Sequence, residues 1–234
     1  DQDIRACLRD RVETLRPYVK ECQAVDLNLG QMDRTFDILR AESFVAAFGT
    51  AISEKPESFG DHIARNVALG LEMTLADRAW AHKEQTIILR RFNALMRDFD
   101  VIILPTSPVS PFPWTQSHPS RIDAQEMDIY YRWLALTYRG SMAGGPSITL
   151  PCGRDSNDMP FGLQMLGATR ADERLLAAAK TIEAHFAQNP LTARPQPDLK
   201  NIVKSTVDLR SIVTHPPIFN SAARVASSSM PTAV

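Results

Sequence analysis

Apolar positions recur at helical spacing in several stretches of the chain. Ile4, Cys7, Leu8, Val12 and Leu15 fall on one side of a helix that Asp1 or Asp3 can cap and that Pro17 bends or ends. Residues 22–27 alternate in polarity and predict a short strand. From 32 to 50 the helical spacing returns, with Phe36, Leu39, Phe44, Ala47 and Phe48 on the apolar side. Pro56 and Gly60 mark a loop, and Ser58 or Asp61 can cap a following helix over 62–73. A longer helix is expected over 75–98, with Ala76, Ile87, Ile88, Phe92, Leu95 and Met96 as its apolar residues. Acidic residues interleave its arginines and lysines, which marks a solvated face rather than a nucleic-acid surface.

The pattern changes at residue 101. Val101-Ile-Ile-Leu104 is apolar without alternation, as in a strand buried on both faces. Residues 105–114 carry a proline every two or three positions, which forbids helix and predicts an extended loop leaving the strand. Loops at strand ends commonly border the ligand crevice of open α/β sheets. A helix carrying Tyr130, Tyr131 and Trp133 is expected over 124–138, and the glycines of 140–145 then break the chain. Strands over 147–150 and 161–166, joined by a turn-rich stretch, predict a hairpin. A helix over 171–187 presents Leu175, Leu176, Ala179, Ile182 and Phe186, with Asp172 and Glu173 at its positive end. The proline-rich residues 190–197 lead out of the periodic part. These elements predict an α/β fold, part of a mixed β-sheet flanked by helices, over residues 1–198. A Ser/Ala-rich tail occupies 199–234.

Composition narrows the chemistry. Of 234 residues, 26 are basic and 27 acidic, so no global positive field favours nucleic acid. No apolar run is long enough for a membrane helix. Cys7, Cys22 and Cys152 are an odd, widely spaced set, read as free thiols of a reducing, cytoplasmic compartment. The five histidines are scattered, so no metal ligand set emerges. A serine nucleophile needs an activating base and backbone donors for the oxyanion. The nearest candidate, Ser141-Met-Ala-Gly-Gly-Pro-Ser147, has no neighbouring lysine or histidine. From bare chemistry no catalytic set is assembled. The chain opens on Asp1, which fits a partial or processed chain.

Gly145-Pro-Ser-Ile-Thr-Leu-Pro-Cys-Gly153, followed by Met159-Pro-Phe-Gly-Leu-Gln-Met-Leu-Gly167, resembles the amidase signature family. Asp100-Val-Ile-Ile-Leu-Pro-Thr-Ser-Pro108, Asp172-Glu-Arg-Leu-Leu176 and Arg194-Pro-Gln-Pro-Asp198 are similar to further stretches of that family, in the same order. The resemblance implies carboxamide hydrolysis by a serine–cis-serine–lysine triad without metal or organic cofactor. It also implies that the lysine and the glycine/serine-rich loop belong to an N-terminal half, so no catalytic residue is assigned among these 234. By the same resemblance, the charged substrate-binding positions of the glutamine-using branch are Gln85 and Leu134 here, which speaks against that branch.

The resulting expectation is the C-terminal part of an amidase-like hydrolase. It would act on a small-molecule amide only with its N-terminal half, supplied by a partner chain or accompanied by self-association. The alternative is a catalytically inactive amidase-derived fragment or interaction subunit. The pocket is expected along 105–114 and 138–144, with Thr106, Trp114, Tyr138 and Gly144 as its candidate residues. Replacing Trp114 or Tyr138 by alanine is expected to change amide preference with little loss of folding.

Overall fold

A computed structural model describes residues 1–113, 116–203 and 206. Trp114 and nearly all of the expected tail therefore lie outside the described residues. The chain forms two compact units, one of residues 1–36 and 79–197, the other of 37–78 with 198–234.

In the first unit, α1 (Gln2–Leu15) starts at Asp1, whose carboxylate accepts the backbone N–H of Asp3 at 3.0 Å. A 3-10 turn, Arg16–Tyr18, takes up Pro17 at the helix end. The expected strand over 22–27 does not form. Those residues are irregular, and Asn28 and Leu29 instead close tight turns back onto Asp26 and Leu27. Alternation over six residues cannot hold a strand that has no sheet partner.

The unit's sheet contains β1 (Ile102–Pro105), β4 (Ser147–Arg154) and β5 (Pro160–Leu166). Its order is β1-β5-β4 and both pairings are antiparallel. The expected hairpin and the expected strand at 101–104 are thus both present. Among the described residues β1 and β4 are the two edges of this sheet.

Register assigns the two faces. Ile103, Met165 and Ile148 align across the strands, as do Leu163 and Leu150. This face packs with Ile4, Cys7 and Leu15 of α1 and with Leu175, Ala179, Ile182 and Phe186 of α6 (Asp172–Phe186) to form the core. The opposite face carries Leu104, Gln164 and Thr149 in one row and Ile102, Leu166 and Ser147 in the next.

The helix expected over 124–138 is replaced by three smaller elements. A two-stranded hairpin, β2 (Arg121–Ile122) with β3 (Gln125–Glu126), turns at Asp123 with φ 51° and is joined by an Arg121–Glu126 ion pair of 2.8 Å. A 3-10 turn, Arg132–Leu134, leads into α5 (Ala135–Ala143), which ends at Gly144 with φ 73°. The helix therefore runs through Gly140 instead of ending before it. A Cβ at Gly140 would lie 3.3 Å from Leu166 Cδ2. The missing side chain is what lets the helix lie close to the sheet, and that packing offsets glycine's helix penalty.

The second unit holds most of α2 (Met32–Glu54), all of α3 (Asp61–Glu72) and the start of α4 (Leu75–Leu95). Helices α2 and α3 meet at Gly70, where a Cβ would stand 2.6 Å from the Ala41 carbonyl oxygen. Thr74 and Asp77 form a reciprocal capping box for α4: the Thr74 hydroxyl accepts the Asp77 N–H, and the Asp77 carboxylate accepts the Thr74 N–H. α3 starts after Gly60 without a side-chain cap, so neither Ser58 nor Asp61 plays that part.

Candidate functional site

α5 places Leu136, Arg139, Gly140 and Ala143 at the i, i+3, i+4, i+7 spacing of one helical face. All four line a cavity of about 950 Å³. Leu104 of β1, Leu166 of β5, Phe92 of α4 and residues 26–34 close it. The 26–34 segment is fastened to α4 at two points. Glu84 Oε1 accepts the Gln31 N–H at 3.0 Å, and Arg91 Nη1 donates to the Leu29 carbonyl at 3.0 Å. Gly30 lies between them with φ 137°, where a Cβ would come within 2.5 Å of the Glu84 carboxylate. Three acids (Asp26, Asp33, Glu84) and three arginines (Arg34, Arg91, Arg139) line this cavity, so its formal charge balances.

Asp33, at the start of α2, organises one wall. Its Oδ1 accepts from Arg139 Nε at 2.8 Å and from the Tyr138 hydroxyl at 2.9 Å, and its Oδ2 accepts from Arg139 Nη2 at 2.6 Å. Arg132 Nη1 donates to the Tyr138 oxygen at 3.1 Å. Burial pushes the Asp33 carboxyl up, but the hydrogen bonds from Arg139 and Tyr138 and the nearby guanidinium charges outweigh it and hold the group below its ordinary value. Burial pushes the Tyr138 phenol up to about 12, so it stays a neutral donor. Phe36 stacks on the Tyr138 ring at 4.1 Å.

The four residues expected to form the pocket occupy different settings. Thr106 donates its backbone N–H to the Gly162 carbonyl at 2.9 Å, extending the β1 pairing by one residue. Its buried hydroxyl has no partner among the described residues, and it lines a cavity of about 240 Å³ with Ser110, Phe112 and Trp133. Tyr138 is buried and supports the wall through its hydroxyl. Gly144 terminates α5, and its carbonyl faces the Thr169 hydroxyl at 3.5 Å. Trp114 lies outside the described residues. The burial of Tyr138 corrects one expectation: Tyr138→Ala would remove a packed ring, so it cannot spare folding.

Sequence reasoning missed Asp33, Arg139 and Gln164. Gln164 Nε2 donates to the Ser147 hydroxyl at 2.8 Å, while its buried Oε1 has no partner among the described residues. The spacing of 136, 139, 140 and 143 was the available signal, hidden by reading Gly140 as a break. Ser141 donates its hydroxyl to the Thr137 carbonyl within α5. Cys7, Cys22 and Cys152 are free, and burial raises the Cys152 thiol to about 12, which leaves it without nucleophilic thiolate near neutral pH. Among the described residues no helix is long and apolar enough to cross a membrane, and no His/Cys/Asp/Glu group fit to hold a metal occurs.

A family model described as Amidase matches residues 22–176. A glutamyl-tRNA(Gln) amidotransferase subunit of Halothermothrix orenii is 32% identical over 174 residues, covering 72% of this chain and 35% of that protein. The chain thus spans about a third of the length of this curated relative. Two solved structures share the fold. A crystal structure of an amidase superposes with TM-score 0.71 at 24% identity, over 78% of this chain and 42% of its own. A bacterial aryl acylamidase of the amidase signature family gives 0.70 at 20%, over 81% and 41%.

Proposed function

This chain belongs to the Amidase family, whose pattern runs through residues 22–176, and from that premise we propose that it forms the acyl-pocket wall of a carboxamide hydrolase. The observation that carries the proposal is the α5 face: Leu136, Arg139, Gly140 and Ala143 stand at helical spacing along one cavity of about 950 Å³. Gly140 lets this wall lie close against Leu166 of the sheet, and Arg139 is held in place by Asp33, which also accepts from Tyr138. Leu104 borders the pocket at β1, Gly144 ends its helical wall, and Thr106 lines a separate cavity of about 240 Å³ with Ser110 and Phe112. The lysine, the serines and the oxyanion donors come from an N-terminal amidase segment, without which the nucleophile has no activating base. The two open sheet edges, β1 and β4, are where such a segment or a second copy can pair.

The cavity's balanced charge favours a neutral acyl group. Gln85 and Leu134 supply no charge for a free amino acid, so aryl and alkyl amides should be preferred over glutamine. The test is turnover of benzamide, acetamide and glutamine by the 234-residue chain, alone and after co-expression with an N-terminal amidase segment. The chain alone should be inactive and the pair should hydrolyse benzamide fastest. Turnover by the chain alone, abolished by a serine-directed covalent inhibitor, contradicts the proposal. An inactive pair that nonetheless assembles would instead mark an interaction subunit.

A further inference from the structure

Three arginines from distant parts of the sequence line one cavity of about 390 Å³ away from α5: Arg11 of α1, Arg154 at the end of β4, and Arg194 of the exit segment. The other lining residues are Gly153, Pro190, Leu191, Ala193, Pro195 and Gln196, so no carboxylate lies among them. Arg11 is only 5% exposed, yet its partners are carbonyls rather than an acid. Its Nη2 donates to the Arg154 carbonyl at 2.6 Å and its Nε to the Cys152 carbonyl at 3.4 Å. A buried guanidinium without a counter-charge is costly, because carbonyl dipoles offset only part of its lost hydration.

The backbone holds this arrangement firmly. The β4–β5 register shifts between Pro151 and Arg154, and Gly153 takes φ 73° at the irregularity. A Cβ at Gly153 would stand 2.0 Å from the Leu191 carbonyl oxygen, so the exit segment lies directly on the bulge. That contact carries Arg194 to the cavity. Arg154 donates to the Asp158 carbonyl at 2.6 Å and lies 3.6 Å from the Asp158 carboxylate, which is 87% exposed and only weakly compensating.

We propose that the cavity formed by Arg11, Arg154 and Arg194 binds a phosphate group, either the free ion or a small phosphate monoester. Guanidinium forks match phosphate oxygens, and three positive groups with no lining acid favour a dianion over a carboxylate. The site is separate from the proposed amide pocket, so its test does not depend on hydrolysis.

The test is thermal unfolding of the full chain at low, matched ionic strength with inorganic phosphate, glycerol 3-phosphate, acetate or chloride. A ligand that binds only the folded state raises the midpoint, and above its dissociation constant the rise continues with the logarithm of its concentration. Inorganic phosphate should do so, with acetate and chloride much weaker. An equal or smaller rise with glycerol 3-phosphate at matched concentration assigns the site to the free ion, and a larger rise with that compound assigns it to a monoester. Arg154 and Arg194 are both exposed, so Arg154→Gln and Arg194→Gln should fold while weakening phosphate binding about tenfold each. An equal rise with chloride or acetate, no rise with phosphate, or an undiminished rise in both variants overturns the proposal.

Discussion

The two faces of the β1-β5-β4 sheet are made from the same three strands and differ in what lies on them. One carries Ile103, Leu150, Leu163 and Met165 against α1 and α6 and closes as an apolar core. The other carries Gln164, Ser147 and Thr149, with α5 passing close at Gly140. The first face is what a small domain needs in order to fold. The second keeps a buried amide oxygen without a partner among the described residues, a cost that packing alone does not explain. The difference teaches that stability and the proposed function are separated across a single layer of backbone.

The largest test of that separation is Phe186→Ala. Phe186 is 2% exposed in the closed-face core, and its truncation should cost about 3–5 kcal/mol in urea unfolding. A loss under about 1 kcal/mol would show that this face is not the stabilising one.

Next comes Gly162→Ala on the other face, where a new Cβ would stand 2.8 Å from Thr106 Oγ1 and 3.2 Å from Thr106 Cβ. Overpacking of this kind should cost about 1–3 kcal/mol, and Thr106→Ala in the same chain should recover part of it. Failure of the pair to recover stability would remove Thr106 from this contact.

Acid sensitivity sharpens the comparison further. The Asp33 carboxyl is held below its ordinary value in the folded chain. Its stabilising contribution is therefore present above the unfolded pKa and is lost as pH falls through the lower folded value. Relative to Asp33→Asn, the wild-type midpoint should drop more steeply below about pH 4. Parallel curves would contradict the pairing with Arg139. The smallest effect is expected for Gln164→Met, which loses the Ser147 hydrogen bond and also removes the unpaired oxygen. The two should cancel to within about 1 kcal/mol in urea unfolding.

The closed face was the more legible of the two. Helix periodicity in α1 and α6 and the hairpin of β4 and β5 follow from local pattern, because each element buries one continuous apolar side. The other face was obscured where tertiary contact overrides propensity. Gly140 breaks a helix in isolation but here permits one, because Leu166 fills the space a side chain would need. The aromatic run 130–133 suggested a helix, yet Tyr131 joins Phe36 and Tyr138 from a turn, Tyr130 packs on Tyr131, and Trp133 packs on Phe112. Residues 22–27 looked like a strand, but among the described residues β1 and β4 pair only with β5. Gly144 at the end of α5 was readable as a glycine position where the chain breaks. Asp33 was not, because it meets Arg139 across 106 residues of sequence.

In the proposed enzyme the amide acyl group sits along α5. The most direct test of that placement is photolabelling of the complemented enzyme with a diazirine-bearing aryl amide, followed by peptide mapping. The account predicts labelling within residues 135–143 and at the β1 end near Leu104, suppressed by excess benzamide. Benzamide-sensitive labelling confined to α1 or α6, with none along α5, would contradict it.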